Sequence, residues 1–164
     1  MILMGWRGKR SLQQSVLGTV LDEVIWGSDL PVMVGRLNNP LNSTRRVLLL
    51  LPAKVIAPTV LRRILEANRT IAMALNVSQV ILADESYLEA VREISQPFQK
   101  DYPCEIERMN GPLRSKDIGS DFKNDLVVIP GFGSRQRFLS ILGNLPERLA
   151  ATFDGNLVIL HFDR

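Results

Sequence analysis

Cysteine and histidine are almost missing from this sequence: Cys104 and His161 are the only examples in 164 residues. A lone cysteine excludes an internal disulfide framework. One Cys and one His cannot supply the four nitrogen and sulfur ligands of a closed zinc site, so no metal site is expected. Aromatic residues are scarce as well, at 6%. Nucleic-acid binding needs basic residues gathered with stacking side chains. Here the net charge is only +3, with a pI of 9.3, and Lys and Arg are scattered. Small clusters at Arg7-Lys9-Arg10, Arg45-Arg46 and Arg135-Arg137 read as solvated surface, and no nucleic-acid partner is expected. Long apolar runs are also absent. The longest, Val47 to Ala53, contains Pro52 and falls far short of the roughly 18 residues of a spanning helix. The opening Met1-Ile2-Leu3-Met4 is too short for a secretion signal and is followed by charge. The expectation is a cytosolic chain, or the cytosolic piece of a larger one.

What is present is ordinary globular material, 46% hydrophobic and 23% charged, in a length of about one domain. Short apolar runs alternate with amphipathic stretches. Arg46 to Leu51 predicts a strand buried on both faces, ended by Pro52. Ala57 to Asn76 predicts a helix with Val60, Leu61, Ile64, Leu65, Ile71, Ala72 and Leu75 on one stripe. Val80 to Ala83 reads as a second buried strand, and Tyr87 to Ile94 as a shorter helix stopped near Pro97. Cys104 to Glu107 alternates and reads as an edge strand, because one face alone is apolar. A weak helix over Leu113 to Phe122 follows, then strand Leu126 to Ile129, a helix from Asn144 to Phe153, and a last strand, Leu157 to Leu160. Such alternation predicts an α/β fold, a parallel sheet with helices on both faces.

The first 37 residues stand outside that unit. They read as strand (Ile2 to Met4), glycine loop, helix (Ser15 to Trp26) and strand (Pro31 to Val34), followed by a linker over residues 38–44. This head recurs at the tail under a shift of about 125 residues. The shift lays Gly8 on Gly133, Gly18 on Gly143, Thr19 on Asn144, Leu3 on Val128 and Val24 on Leu149. It also lays Pro31 to Val34 on Asn156 to Ile159. The chain is therefore divided into the end of one unit (1–37), a linker (38–44) and one complete unit (45–164).

Gly5-x2-Gly8-x9-Gly18-Thr19 follows a strand and enters a helix. Glycines let the backbone approach a ligand closely, successive N–H groups form an anion nest, and a helix N-terminus adds partial positive charge. Thr19 supplies a hydroxyl, and Arg7, Lys9 and Arg10 supply cations. This is phosphate-binding chemistry, although the spacing is neither that of a Walker A loop nor that of a Rossmann fingerprint. A tight turn with no ligand is the alternative.

The same residues, preceded by Ile2-Leu3-Met4 and followed by Leu30 to Val34, resemble the last quarter of a universal stress protein domain. Arg45 to the end, including Asp125-Leu126-Val127-Val128, resembles a complete, divergent domain of that family. The resemblance implies an open parallel sheet of order 3-2-1-4-5. It also implies ATP binding, or dimerisation where ATP is not bound, and tandem arrangement, in some members behind membrane cation/proton antiporters. Gly5-Trp6-Arg7-Gly8-Lys9-Arg10-Ser11 is similar to the cytosolic tails of bacterial sodium/proton antiporters of that kind.

Departures from the pattern shape the expectation. Pro52-Ala53-Lys54 stands where ATP-binding members carry an Asp. Pro130 replaces the first motif glycine and has no N–H to offer, and Asn144 replaces Ser or Thr. The second loop, Gly131, Gly133, Gly143 and Asn144, therefore reads as degenerate. The phosphate site, if there is one, is assigned to Gly5, Arg7, Gly8, Lys9, Gly18 and Thr19, with ATP as a cofactor only in the intact tandem. Asp84 and Glu85 at a strand end read as a surface loop pair, His161 as structural and Cys104 as a packed thiol. Asp22 and Glu23 are adjacent on a helix and do not converge. With no nucleophile, base and orienting group in sight, no enzyme is expected. The final strand is predicted to pair antiparallel with Pro31 to Val34, giving about seven strands. The functional expectation is a regulatory domain on the cytoplasmic face of a cation/proton antiporter. Its partners would be the membrane domain and a homo-dimer or internal pseudo-dimer. A free-standing ATP-binding stress protein is the alternative.

Overall fold

The computed structural model describes residues 1–5, 23–25, 27–51, 56–99, 102–109, 122–132 and 153–162. The strands are β1 (Ile2–Gly5), β2 (Val32–Arg36), β3 (Arg46–Leu51), β4 (Ser78–Ala83), β5 (Cys104–Arg108), β6 (Leu126–Phe132) and β7 (Asn156–Phe162). The described full helices are α1 (Pro58–Leu75) and α2 (Leu88–Gln99). One seven-stranded sheet runs β1-β2-β7-β6-β3-β4-β5. Its β5-β4-β3-β6-β7 part is the expected 3-2-1-4-5 order.

β3 lies in the middle because its residues can be buried on both faces. Val47, Leu49 and Leu51 enter the core under α1, while Leu48 and Leu50 enter the opposite core with Val127, Ile129, Leu157 and Ile159. α1 buries Val60, Leu61, Ile64, Leu65 and Ala72 of the predicted stripe, and Ile71 and Leu75 pack partly buried against the same core. Pro58 opens the helix, where a missing N–H costs nothing. Asn76 closes it in the left-handed conformation, at φ 53°. The Tyr102 hydroxyl reaches the carbonyls of Ala72 and Val77 at that end. Buried Asn68 donates to Gln79 Oε1 at 3.0 Å and ties α1 to β4.

β7 carries the predicted antiparallel seam. Val32 pairs with His161, Val34 with Ile159 and Arg36 with Leu157. The parallel β1–β2 pairing places Ile2 opposite Val32 and Met4 opposite Val34; β6–β7 places Val127 opposite Leu157 and Ile129 opposite Ile159. The internal shift carries the first register onto the second, residue for residue. It also carries Val34 onto Ile159, so a pseudo-two-fold axis passes between these paired side chains.

Several expectations are corrected. α2 runs through Pro97 to Gln99 instead of stopping before it. The proline lies in the last turn, so only the hydrogen bond back to residue 93 is lost there, while buried Val91 and Ser95 hold the helix. β1 includes Gly5 and β6 includes Pro130 and Gly131, so both strands take in the start of their glycine loops. Phe153 lies beyond any helix, buried against Ile25 and Leu157. The segment read as a linker contains a 3-10 turn, Leu41–Ser43, and is pinned to β7. Asn39 N–H donates to Asn156 Oδ1 at 2.9 Å, and Asn156 Nδ2 donates to the Asn39 carbonyl at 3.1 Å. The expected helices over 15–22, 113–121 and 144–152 lie outside the described residues.

Position-equivalent side chains should respond very differently to truncation. Val128→Ala, in the core under α1, is expected to cost about 2 kcal/mol, read from the urea midpoint. Leu3→Ala, its counterpart on the open face of β1, is expected to stay within about 0.5 kcal/mol.

Candidate functional site

Open α/β sheets bind ligands beyond the carboxyl ends of their parallel strands, where the chain order reverses. Here that place lies between β3 and β6. The β3–β6 ladder ends at Leu49–Val128, whereas β6–β7 continues to Phe132–Phe162. Pro130, which has no N–H, sits just past the point where β3 and β6 part. Gly131 is buried in the strand opposite His161, without a loop conformation of its own. Neither strand tip offers a carboxylate among the described residues, and residues 52–55 lie outside them.

Among the described residues, Asp84 and Glu85 follow β4 at this end. The Asp84 backbone N–H donates to the Leu51 carbonyl at 3.3 Å, which sets Asp84 beside the tip of β3. One of its carboxylate oxygens is engaged. Oδ1 accepts from the Ser86 hydroxyl at 2.7 Å and from the Ser86 N–H at 3.1 Å, capping the 3-10 turn Glu85–Tyr87 that leads into α2. These Ser86 bonds, helped by the charge of Arg108, hold the Asp84 carboxyl below its ordinary range. Glu85 pairs with Arg108 Nε at 2.5 Å on the surface. The pair is thus a capping loop, as its sequence setting suggested.

The strands that lead into the two glycine loops end at opposite ends of the sheet. β2 runs antiparallel to β7 and parallel to β1, so Gly5 ends its strand at the opposite end of the sheet from Gly131. The remaining site residues, Arg7, Gly8, Lys9, Gly18 and Thr19 in the head and Gly133, Gly143 and Asn144 in the tail, lie outside the described residues.

Gly5 shares its end of the sheet with a charge cluster, whose Arg45-Arg46 pair was read from the sequence as solvated surface. Fully buried Asp125 accepts from Arg45 Nε at 3.2 Å and Arg46 Nε at 2.9 Å, and Arg46 also lies over the Phe122 ring. The signal was available: neighbouring strands β3 and β6 each carry charge just at their amino ends, of opposite sign. The cluster clamps β6 to β3 where their ladder begins. Arg36 is a buried cation. Burial lowers its pKa against the opposing field of Asp154, and its guanidinium donates to the Phe153 carbonyl. His161 is buried in β7. Cys104 is half-buried, and burial pushes its thiol up to about 11, which leaves little thiolate at neutral pH.

No family model and no curated protein sequence matches the chain. Two solved structures share its fold. One is a protein of unknown function from Pseudomonas aeruginosa PAO1, at 14% identity and a TM-score of 0.52. The other is a candidate universal stress protein from Pseudomonas aeruginosa UCBPP-PA14, at 15% identity and a TM-score of 0.53. Each match covers 98% of this chain and 62% of the neighbour. The fold is that of universal stress protein-like structures, and the chain spans about three fifths of the length of these neighbours.

The Asp84 cap gives a pH-dependent test. Its folded carboxyl titrates below the ordinary 3.8, so its contribution is present at neutral pH and is lost as pH falls through the lowered value. Asp84→Ala should cost about 1 kcal/mol at neutral pH, and the gap from the unsubstituted chain should close in acid. A urea titration at each pH reads both.

Proposed function

We propose that this chain is a regulatory, non-catalytic module of universal stress protein fold in the cytosolic tail of a membrane cation/proton antiporter. The observation that carries the regulatory reading is the β2–β7 seam, in which two apolar strand edges are spent on joining units. The crevice between β3 and β6 supports the same view, because Pro130 offers no amide to a phosphate and the nearby Asp84 carboxylate is held by Ser86. Attachment to an antiporter is supported by the resemblance of Gly5 to Ser11 to such tails. The module would act through a ligand, or through unit association, that differs in affinity between two arrangements of the tail, since only differential binding shifts an equilibrium.

Two measurements test this. Titration calorimetry should find no ATP binding tighter than ~100 μM to the 164-residue chain. Tighter binding that is abolished by Gly8→Val and Gly18→Val would favour the free nucleotide-binding stress protein, and binding that survives both would place the nucleotide elsewhere. The antiporter attachment requires the encoding gene to specify ten or more apolar spans of ~20 residues. In everted vesicles, deleting this module should leave cation/proton exchange in place and abolish its regulation. A gene without such spans overturns the attachment.

A further inference from the structure

One face of the sheet is covered unevenly. On the α1 side Leu126, Val128, Leu160 and Phe162 are at most 5% exposed, whereas Leu3 on β1 and Leu37 just past β2 are 69% and 52% exposed. Between these regions lies an apolar groove of about 440 Å³. Leu3, Met33, Gly35, Val158 and Leu126 floor it across β1, β2, β7 and β6, and Ile71 and Leu75 at the end of α1 wall it. Of its twelve lining residues, none carries a polar side chain. The volume falls within the range of small-ligand sites, and water inside would find no side-chain partner.

A cation stands at one end of this groove. The floor crosses adjacent strands from β1 to β6, roughly 14 Å at ~4.8 Å per step, and the next strand is β3. Val47 belongs to the core under α1 and pairs with Leu126, so alternation along the strand puts Arg45 on the same face. The Arg45 backbone N–H donates to the Asn124 carbonyl at 2.8 Å, two residues before Leu126 of the floor. Its side chain is 59% exposed. Asp125 offers one carboxylate to both Arg45 and Arg46, so the three side chains together keep a positive charge. The Ala72 and Met73 carbonyls at the end of α1 would repel an anion, but the Asn76 and Val77 N–H groups and the Tyr102 hydroxyl take them up.

We infer that the groove binds a free fatty acid of medium chain length, its hydrocarbon chain lying across the floor and its carboxylate on Arg45. The apolar lining suits the chain, the span sets its length, and the charge beside Leu126 fixes which end is polar. A helix as occupant fits less well, because two of its turns would fill roughly 850 Å³ and stand largely outside the groove. The inference rests on the groove and on Arg45, and it is independent of the antiporter and of ATP.

Titration calorimetry on the full chain with decanoate tests it. Binding tighter than ~100 μM is expected, with octanoate about tenfold weaker for its two fewer methylenes. Gly35→Leu should abolish binding. A Cβ there meets only Val158 Cγ2, at 4.0 Å, so the longer side chain enters the groove while the urea midpoint is kept. Arg45→Gln leaves Arg46 on Asp125; it should weaken decanoate at least about tenfold and leave decanol unchanged, and Arg45→Lys should recover part of the loss. Absence of decanoate binding overturns the inference, as does binding untouched by Gly35→Leu. An equal effect of Arg45→Gln on decanoate and decanol overturns the carboxylate assignment. Binding to anionic lipid vesicles without binding of decanoate assigns the face to a membrane and overturns the inference. Self-association of the chain that decanoate does not disturb assigns the groove to a second copy and overturns it too.

Discussion

The antiparallel pairing of β2 with β7 is the constraint on which the rest of the molecule depends. Each strand alone would present a row of unpaired backbone groups along an apolar edge. Joined, they become the interior of a single sheet, with Val34 facing Ile159 across the local axis. The core on one side is shared over this seam: Ile25, Val32 and Val34 pack in the same cluster as Val127, Leu157 and Ile159. The head is therefore bound to the body by a continuous hydrophobic layer as well as by the ladder. The Asn39–Asn156 pair and the Arg36 contact with the Phe153 carbonyl add polar ties just past the end of β2.

The seam also reverses polarity, and that has a chemical consequence. Strands on either side of it point their carboxyl ends in opposite directions, so β1 and β6 end at opposite ends of the sheet. At one end, Asp125 clamps Arg45 and Arg46 and holds β3 to β6. At the other, the ladder between those strands stops at Val128, two residues before Pro130. The sheet is thus closed by charge at the amino ends of its central strands and left to part at their carboxyl ends, where a ligand crevice would form.

Much of this was legible in the sequence because it follows from periodicity. Continuous apolar runs located β3, β6 and β7, the 3.6-residue stripe located α1, and alternation made Cys104 to Glu107 an edge. The glycine spacing disclosed a repeat whose shift turned out to preserve strand register. What escaped has physical causes too. Pro97 was read as a stop, but a proline in the last turn disturbs only one backbone bond. Gly5 and Gly131 were read as loop because glycine is permissive, yet a ladder partner on β2 or β7 is enough to keep each in a strand. Asp125 and its two arginines are far apart in sequence, and only the strand order brings their charges together. Asn39 and Asn156 carry no local pattern that predicts their mutual hydrogen bonds.

The asymmetry between the two faces of the sheet bears on how such a module can work. The face that includes Val34 and Ile159 is packed across the seam, so a change confined to it would have to disrupt a close-packed core. Among the described residues, the α1 face is packed over β3, β6 and β7, whereas Leu3 on β1 and Leu37 just past β2 are exposed. Movement, exchange of partners and gain of contacts are easiest where apolar surface is still uncovered, and burying that surface yields free energy in proportion to its area.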